Sequence, residues 1–177
     1  MNSQTINCIL TRACQETPVR FLGVFSANEI PQFHTYNQQV ACVVNTDPSY
    51  LPGSHWVAFF VDDQSRIDFF DSYGSPPIAY GFPVYPNIVN TIYRHSPSTD
   101  VCGHYSLIYV YLRAQGAPRS KVIFYLRDLA NNPLNRDMRV RNVLDVAVSR
   151  LAPCGPQHRL CLIPCSVQCC RPQCFKA

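Results

Sequence analysis

The sequence predicts an α+β fold in which a small mixed sheet packs against a buried central helix. Three apolar segments rich in β-branched and aromatic residues are separated by turn residues and are typical of strands; they cover residues 40–46, 55–61 and 67–71. The segment 101–115 is apolar almost all round, as expected of a helix inside a domain. Two further helical patterns, at 120–129 and 134–151, complete a succession of strands followed by helices, which favours the α+β class.

The remaining elements are shorter and rest on local patterns. Residues 6–12 predict a short leading helix, and residues 21–25 predict a strand or extended segment. The unbroken apolar run 40–45 is typical of a central strand that is covered on both faces. The stretch 75–98 is rich in Pro, Tyr and Asn, which predicts irregular structure with a short helix around 88–93.

The ends of the central helix carry their own signals. Thr99 and Asp100 are candidates for its N-cap, Gly116 ends it, and Ser120 is the predicted cap of the next helix. This placement puts Cys102 in the first turn of the central helix, where backbone N–H groups and the helix dipole stabilise a thiolate. The alternative is that Cys102 is a buried cysteine that packs as a small hydrophobic residue.

Composition separates the chain into two parts. Its 177 residues, 47% of them hydrophobic and 15% charged, are enough for one globular domain with a core. Six of the ten cysteines lie within the last 24 residues, which predicts a domain at 1–152 and a poorly ordered, Cys-rich extension at 153–177. A zinc site in this extension is the less favoured alternative, because its cysteines and His158 do not reproduce the paired spacing of zinc-binding motifs. We therefore predict no metal site.

The sequence also limits the environment of the protein. No apolar run approaches the roughly 20 residues of a membrane span, and the first residues lack the basic and apolar blocks of a signal peptide. We therefore expect a soluble, intracellular protein without a membrane partner, whose cysteines are reduced. The net charge of +4 permits weak contact with DNA but does not argue for it.

His55 and Asp71 lie at the open end of the hairpin that the segments 55–61 and 67–71 predict. If the numbers of paired residues sum to 126 or 128, both side chains lie on one face, whereas an odd sum puts them on opposite faces. A carboxylate beside an imidazole fixes its tautomer and raises its basicity. Each residue also has an ordinary structural explanation, His55 as a satisfied residue at a strand edge and Asp71 as a turn former.

The order of His55, Asp71 and Cys102, and the sequences around them, resemble the adenain family. These are the adenovirus-type cysteine proteases, which have relatives in large virus-like transposons. The matching pieces occur in order over roughly residues 19–150 and are FLGVF at 21–25, VACVVNT at 40–46, GSHWVAF at 53–59, FFDSYG at 69–74 and DVCGHY at 100–105. The His-Trp strand and the Cys-Gly helix start are shared with the SUMO-processing proteases of the same clan, whereas the first two pieces favour adenain. The resemblance implies a papain-like cysteine-protease fold.

The resemblance also implies a role for each of the three residues. His55 is the general base and later the acid, Asp71 orients it, and Cys102 is the nucleophile that forms a thioester. The backbone N–H of Cys102 and one side-chain donor would stabilise the oxyanion.

The side-chain donor is where this sequence departs from the family. His95 stands where the family has a glutamine. An imidazole N–H also donates a hydrogen bond, but the change fits a weakened enzyme as well. Trp56 and Gly103 are the implied neighbours of the substrate cleft.

The implied function is a cysteine endopeptidase that cuts precursor proteins of a virus or virus-like transposon after small residues such as glycine. One alternative is deconjugation of a ubiquitin-like protein by the same triad. Another is a catalytically weakened binding module that uses its Cys-rich tail or its basic helix, the predicted helix at 134–151 with Arg136, Arg139, Arg141 and Arg150. The residues require no cofactor, but the resemblance implies activation by a peptide or by DNA, and location in the nucleus or virion if the protein is viral. Because residues 72–101 contain no cysteine, a peptide cannot be coupled there through a disulfide.

Overall fold

A computed structural model describes residues 1–90 and 101–130, together with Arg139, Val140, Asn142, Val143 and Asp145. Helices and a five-stranded sheet make up these residues, so the predicted α+β class is confirmed. The predicted extension at 153–177, including His158 and its cysteines, lies outside the described residues. The division into a domain and an extension therefore stays a prediction.

The sheet is mixed and its strands follow one another in sequence order. The strands are β1 (Arg20–Phe25), β2 (Val40–Asn45), β3 (Trp56–Val61), β4 (Ile67–Asp71) and β5 (Ile88–Val89). The strands β2, β3 and β4 run antiparallel, while β1 lies parallel to β2 and β5 lies parallel to β4 at the two edges. The three predicted strands of the centre are confirmed within one residue at their ends.

The edge strand β5 shows that the short helix expected around 88–93 is wrong at residues 88 and 89, while residues 91–93 lie outside the described residues. Ile88 and Val89 pair with Asp68 and Phe69 of β4. The side chain of Asn87, just before β5, accepts a hydrogen bond of 2.7 Å from the backbone N–H of Ile67 and so holds the chain beside β4. Ile88 and Val89 can then form hydrogen bonds with the edge of β4, and these stabilise them more than an isolated helical turn would.

Three helices have described bounds: α1 (Ser3–Cys14), α2 (Cys102–Ala114) and α3 (Arg119–Ala130). The leading helix is therefore longer than predicted; Asn2 caps it by accepting a hydrogen bond of 2.9 Å from the N–H of Thr5. Residues Arg139, Val140, Asn142, Val143 and Asp145 are helical, in agreement with the pattern at 134–151, whose other residues lie outside the described ones.

The predicted helix caps are wrong at two places. The N-cap of α2 is Val101, whose side chain has no polar atom, whereas Thr99 and Asp100 lie outside the described residues. Ser120 lies inside the first turn of α3 rather than before it, since the helix already starts at Arg119. The predicted end of α2 is confirmed: Gly116 follows it with a φ of +82°, a conformation that glycine adopts without strain.

The core has two layers because both faces of the sheet are covered. Ala41 and Val43 of β2 pack with α1 and α2 on one face. Cys42 and Val44, which alternate with them, pack on the other face among aromatic side chains such as Phe59. All six residues of β2 are buried, as expected for a central strand covered on both sides.

The helix α2 lies in the middle of the helical layer, against β3. Most of its residues are buried, and its Ser106 hydroxyl donates a hydrogen bond of 2.9 Å to the backbone carbonyl of Trp56. This bond fixes the first turns of α2 to the start of β3. The start of the helix therefore lies beside the open end of the hairpin.

Candidate active site

His55 and Asp71 are brought together by the register of the β3–β4 hairpin. Val57 pairs with Asp71, so the numbers of paired residues sum to 128. His55 stands two residues before Val57 and is therefore the diagonal neighbour of Asp71 on the same face, as predicted for an even sum. The His55 Nε2 and Asp71 Oδ1 atoms are 2.6 Å apart, and both side chains are buried.

Cys102 meets this pair at the start of α2. The residue is 8% exposed, and its sulfur lies close enough to the His55 imidazole for each group to shift the pKa of the other. Because Nε2 of His55 faces Asp71, we assign the contact with the sulfur to Nδ1. The backbone N–H groups of Trp56 and Gly103 also donate to the sulfur. The structure thus brings together the three residues that the sequence indicates.

The charges in this cluster favour an ion pair. Burial alone raises the pKa of Cys102, but the hydrogen bonds from His55 and from the Trp56 N–H outweigh it and lower the pKa below that of an ordinary thiol. Burial lowers the pKa of His55, but its hydrogen bonds with Asp71 and Cys102 and their charges raise it to about 9. Between these values the sulfur is a thiolate and the imidazole carries a proton. The nucleophile and its proton donor are therefore both charged at pH values between the lowered pKa of Cys102 and the pKa of His55.

Asp71 is a fully satisfied buried carboxylate. Its Oδ1 accepts a hydrogen bond of 2.9 Å from the N–H of Tyr73, and its Oδ2 accepts 2.9 Å from the N–H of Ser75 and 2.8 Å from the hydroxyl of Tyr80. The Asn90 side chain fixes the Asp71 backbone from both sides, accepting from its N–H at 2.7 Å and donating to its carbonyl at 2.6 Å. Burial by itself raises the pKa of Asp71, but these hydrogen bonds and the one with His55 lower it.

Tyrosine rings cover the imidazole. The ring of Tyr73 stacks on His55 with centroids 4.0 Å apart and an angle of 17° between the planes, and the ring of Tyr80 lies 6.0 Å away. The sequence patterns include Tyr73 only within a matching segment and do not indicate Tyr80 or Asn90. The abundance of Tyr and Asn in residues 75–98 is a signal of polar contacts, but it does not show which residue they reach.

A cavity of about 520 Å³ opens beside the sulfur. Cys102 and Trp56 line it together with the ends of β1 and β2, residues 1–3 and the loop 47–54. Gly103 lies directly behind Trp56: a Cβ atom on Gly103 would be 3.1 Å from Cδ1 of the Trp56 ring. Trp56 thus faces the cavity, while Gly103 allows the helix to approach the indole closely.

Three further predictions concern features outside this cluster. His95, the predicted side-chain donor to an oxyanion, lies outside the described residues. In the described part of the chain, no three His, Cys, Asp or Glu side chains are grouped so that they could hold a metal ion. Nor does any described helix have the length and apolar character needed to cross a membrane.

Sequence comparison finds similarity to viral cysteine proteases. Over 89 residues the chain is 40% identical to a cysteine protease of an African swine fever virus isolate from ticks in Malawi, covering 41% of this chain and 33% of the viral protein. It is 37% identical, over the same length and shares, to a protein named SUMO-1 cysteine protease from a South African tick isolate of that virus. The chain thus spans about a third of the length of these curated relatives. No family model matches the chain.

This similarity supports the resemblance at the level of viral and SUMO-type cysteine proteases. It does not extend to adenain, since both of these relatives come from African swine fever virus.

Two solved structures resemble the chain more distantly. One is the central domain of an uncharacterized protein of Legionella pneumophila, with a TM-score of 0.48, 16% identity, and coverage of 85% of this chain and 98% of that one. The other is the yeast Ulp1 protease domain in complex with Smt3, the yeast ortholog of SUMO, with a TM-score of 0.48, 14% identity, and coverage of 83% and 78%. At these values the likeness adds nothing to the sequence similarity.

Proposed function

We propose that the protein is a cysteine endopeptidase with Cys102 as nucleophile, His55 as general acid and base, and Asp71 as the residue that orients His55. The observation that carries the proposal is the continuous contact from the Cys102 sulfur through the imidazole to the Asp71 carboxylate, at the wall of a cavity. The similarity to viral cysteine proteases over part of the chain supports the same assignment.

The proposed reaction follows from the charges of the pair. The Cys102 thiolate attacks the carbonyl carbon of the scissile amide, and the oxyanion that forms is stabilised by the backbone N–H of Cys102 and, as the residue in place of the family's glutamine, by His95. The His55 imidazolium then gives its proton to the departing amine, which leaves a thioester and a neutral imidazole. Neutral His55 removes a proton from a water molecule that attacks the thioester, releasing the acid product and restoring the ion pair.

Asp71 remains a carboxylate throughout this cycle. Its hydrogen bond to Nε2 holds the ring so that Nδ1 faces the sulfur, and its negative charge stabilises the imidazolium. The low pKa of Asp71 is consistent with this role, since the carboxylate does not take the proton from His55.

The proposed substrate is a polypeptide with small residues such as glycine at the cleavage site. The leading candidate is a precursor protein of a virus or virus-like transposon. A second candidate is a conjugate of a SUMO-like protein, which is favoured by the name of one relative, SUMO-1 cysteine protease. Comparing cleavage of glycine-containing precursor peptides with cleavage of SUMO–fluorophore conjugates by the same protein separates the two.

Alkylation of the cysteines tests the chemistry without knowledge of the substrate. Iodoacetamide at pH 6 should modify Cys102 faster than Cys14 and Cys42, because the pKa of Cys102 is lowered while burial raises the pKa values of the other two. His55→Ala should slow the modification, whereas Cys8→Ala, which removes a half-buried thiol of α1, should not. Absence of a Cys102 adduct in folded protein, or an adduct rate unaffected by His55→Ala, contradicts the proposal.

Activation by a peptide or by DNA is a separate part of the proposal and rests on the resemblance alone. It is tested by measuring cleavage of a glycine-containing peptide with and without duplex DNA or candidate viral peptides. An unchanged rate with both additions contradicts it. We propose the nucleus or the virion as the location if the protein proves to be viral.

A further inference from the structure

Asn45, the last residue of β2, has a side-chain amide whose donor group is not used within the described residues. The residue is 9% exposed, and its Oδ1 accepts a hydrogen bond of 2.9 Å from the N–H of Asp47. That bond identifies which end of the amide is oxygen, so Nδ2 is the end that points away from Asp47. Among the described residues, none accepts a hydrogen bond from Nδ2.

Gly53 holds the amide from its other side. A Cβ atom on Gly53 would lie 2.2 Å from Nδ2 of Asn45, and the φ of Gly53 is +90°. Only glycine combines that backbone conformation with so close an approach. The Asn45 amide is thus clamped between the Asp47 backbone and the Gly53 backbone, which leaves it little freedom to rotate.

The clamped amide belongs to the same cavity wall as the sulfur. Asn45 pairs with Trp56 in the β2–β3 ladder, and both line the cavity with Cys102. A donor that is held in one orientation at a cavity wall can bond an acceptor on a ligand with little further ordering of its side chain. The described residues that line the cavity include the carboxylate of Asp47 but no Lys, Arg or His, which disfavours an anionic ligand.

We propose that Nδ2 of Asn45 donates a hydrogen bond to a main-chain carbonyl oxygen of the polypeptide that binds in this cavity. The inference rests on the proposed function, because it assumes that a polypeptide occupies the cavity. A neutral amide donor suits a neutral carbonyl acceptor, which an extended peptide offers at every residue whatever its side chains. Asn45 is then a substrate-binding residue that positions the chain beside Cys102 and acts before the chemical step.

Binding to inactive protein tests the inference independently of catalysis. In a Cys102→Ala background, the dissociation constant of a capped hexapeptide with a central Gly-Gly is measured by calorimetry with and without Asn45→Asp. Asp keeps the acceptor for the Asp47 N–H but removes the donor, so affinity should fall about 3–10-fold or more. Asn28→Asp is the matched control: Asn28 is exposed, accepts a hydrogen bond of 2.8 Å from the N–H of Ser49 in the same loop, and does not line the cavity.

A set of peptides in which one amide at a time is replaced by an alkene identifies the carbonyl. At the position that Asn45 binds, the alkene should weaken binding to the protein that retains Asn45 and have a smaller effect on the Asn45→Asp variant. Equal affinity with and without Asn45→Asp, an equal loss in Asn28→Asp, or no binding when Asn45 is intact would each overturn the inference. These results are separate from the alkylation of Cys102, so the inference and the proposed protease chemistry can fail independently.

Discussion

The hydroxyl of Tyr80 donates a hydrogen bond of 2.8 Å to Oδ2 of Asp71, the carboxylate oxygen that His55 does not contact. Tyr80 ends the short 3₁₀ turn Pro77–Tyr80, so a segment outside the hairpin completes the hydrogen bonding of the carboxylate that orients His55. Burial and the charge of Asp71 raise the pKa of Tyr80, which keeps the phenol protonated and able to donate at every pH at which the protein would work.

Tyr80→Phe should destabilise the protein by about 1–3 kcal/mol, the usual range for losing a hydrogen bond to a buried charged group. The lowered pKa of Asp71 contributes stability above its unfolded value near 4, and this contribution is lost as the pH falls through the lower folded value. The variant raises the folded pKa, so acid unfolding should begin at a higher pH. Tyr85→Phe, which changes a tyrosine that is 87% exposed, should leave both the neutral stability and the acid midpoint unchanged.

Peptidase activity should follow a bell-shaped pH profile. The rate constant kcat/KM should rise as Cys102 ionises, at a pH below that of an ordinary thiol, and fall near pH 9 as His55 loses its proton. His55→Ala should reduce kcat/KM by about 10²–10⁴ and move the alkylation profile of Cys102 to higher pH. If that alkylation profile coincides in the two proteins, the imidazole is not what lowers the pKa of the thiol.

Asp68→Asn should destabilise the fold without affecting the site. Asp68 is buried, accepts hydrogen bonds from the Tyr109 hydroxyl and, at 2.8 Å, from Nε of Arg119, and so ties β4 to α2 and α3. Removing one partner of a buried pair costs about 3–5 kcal/mol, and the lower part of that range applies because Arg119 keeps 25% of its side chain exposed. Asp62→Asn breaks an exposed pair with Arg66 and should cost less than about 1 kcal/mol by denaturant unfolding. A similar loss in both variants would contradict this account.

Gly53→Ala should weaken peptide binding as well as stability. Its φ of +90° strains any residue with a Cβ, at about 1–3 kcal/mol, and the new methyl group would also displace the Asn45 amide. Gly116→Ala is the matched control, because Gly116 has a φ of +82° but open space around its Cβ position. Both variants should lose stability, and only Gly53→Ala should raise the dissociation constant of the peptide. Unimpaired binding by Gly53→Ala would show that the amide tolerates displacement.

Patterns with a regular period allowed much of the fold to be predicted. Side chains alternate along a strand, so the possible registers of the hairpin fall into two classes. Registers in which paired residue numbers have an even sum place His55 and Asp71 on the same face. The burial of α2 could be predicted because its residues are apolar on almost every side of the helix, and its end could be predicted from Gly116.

Contacts between distant parts of the chain could not be predicted in this way. The bond of Asn90 to Asp71 spans 19 residues, and the donor of Asn45 has meaning only beside a cavity formed by several elements. β5 was not predicted because a strand of two residues is too short to show alternating polarity. The N-cap of α2 was misassigned because Val101 precedes the helix without a side-chain hydrogen bond. Such features depend on contacts with other parts of the fold, which the local sequence does not reveal.

Asp71 and Cys102 are each held to the sheet by a side-chain hydrogen bond close to the segment 91–100 that connects them. Asn90 holds the Asp71 backbone on one side of the segment 91–100, and Ser106 ties α2 to the Trp56 carbonyl on the other. The helix that carries the sulfur is therefore bonded directly to the sheet. A longer connection between Asn90 and Ser106 should therefore leave Cys102 and Asp71 in place and change only the oxyanion contact proposed for His95, which lies within it.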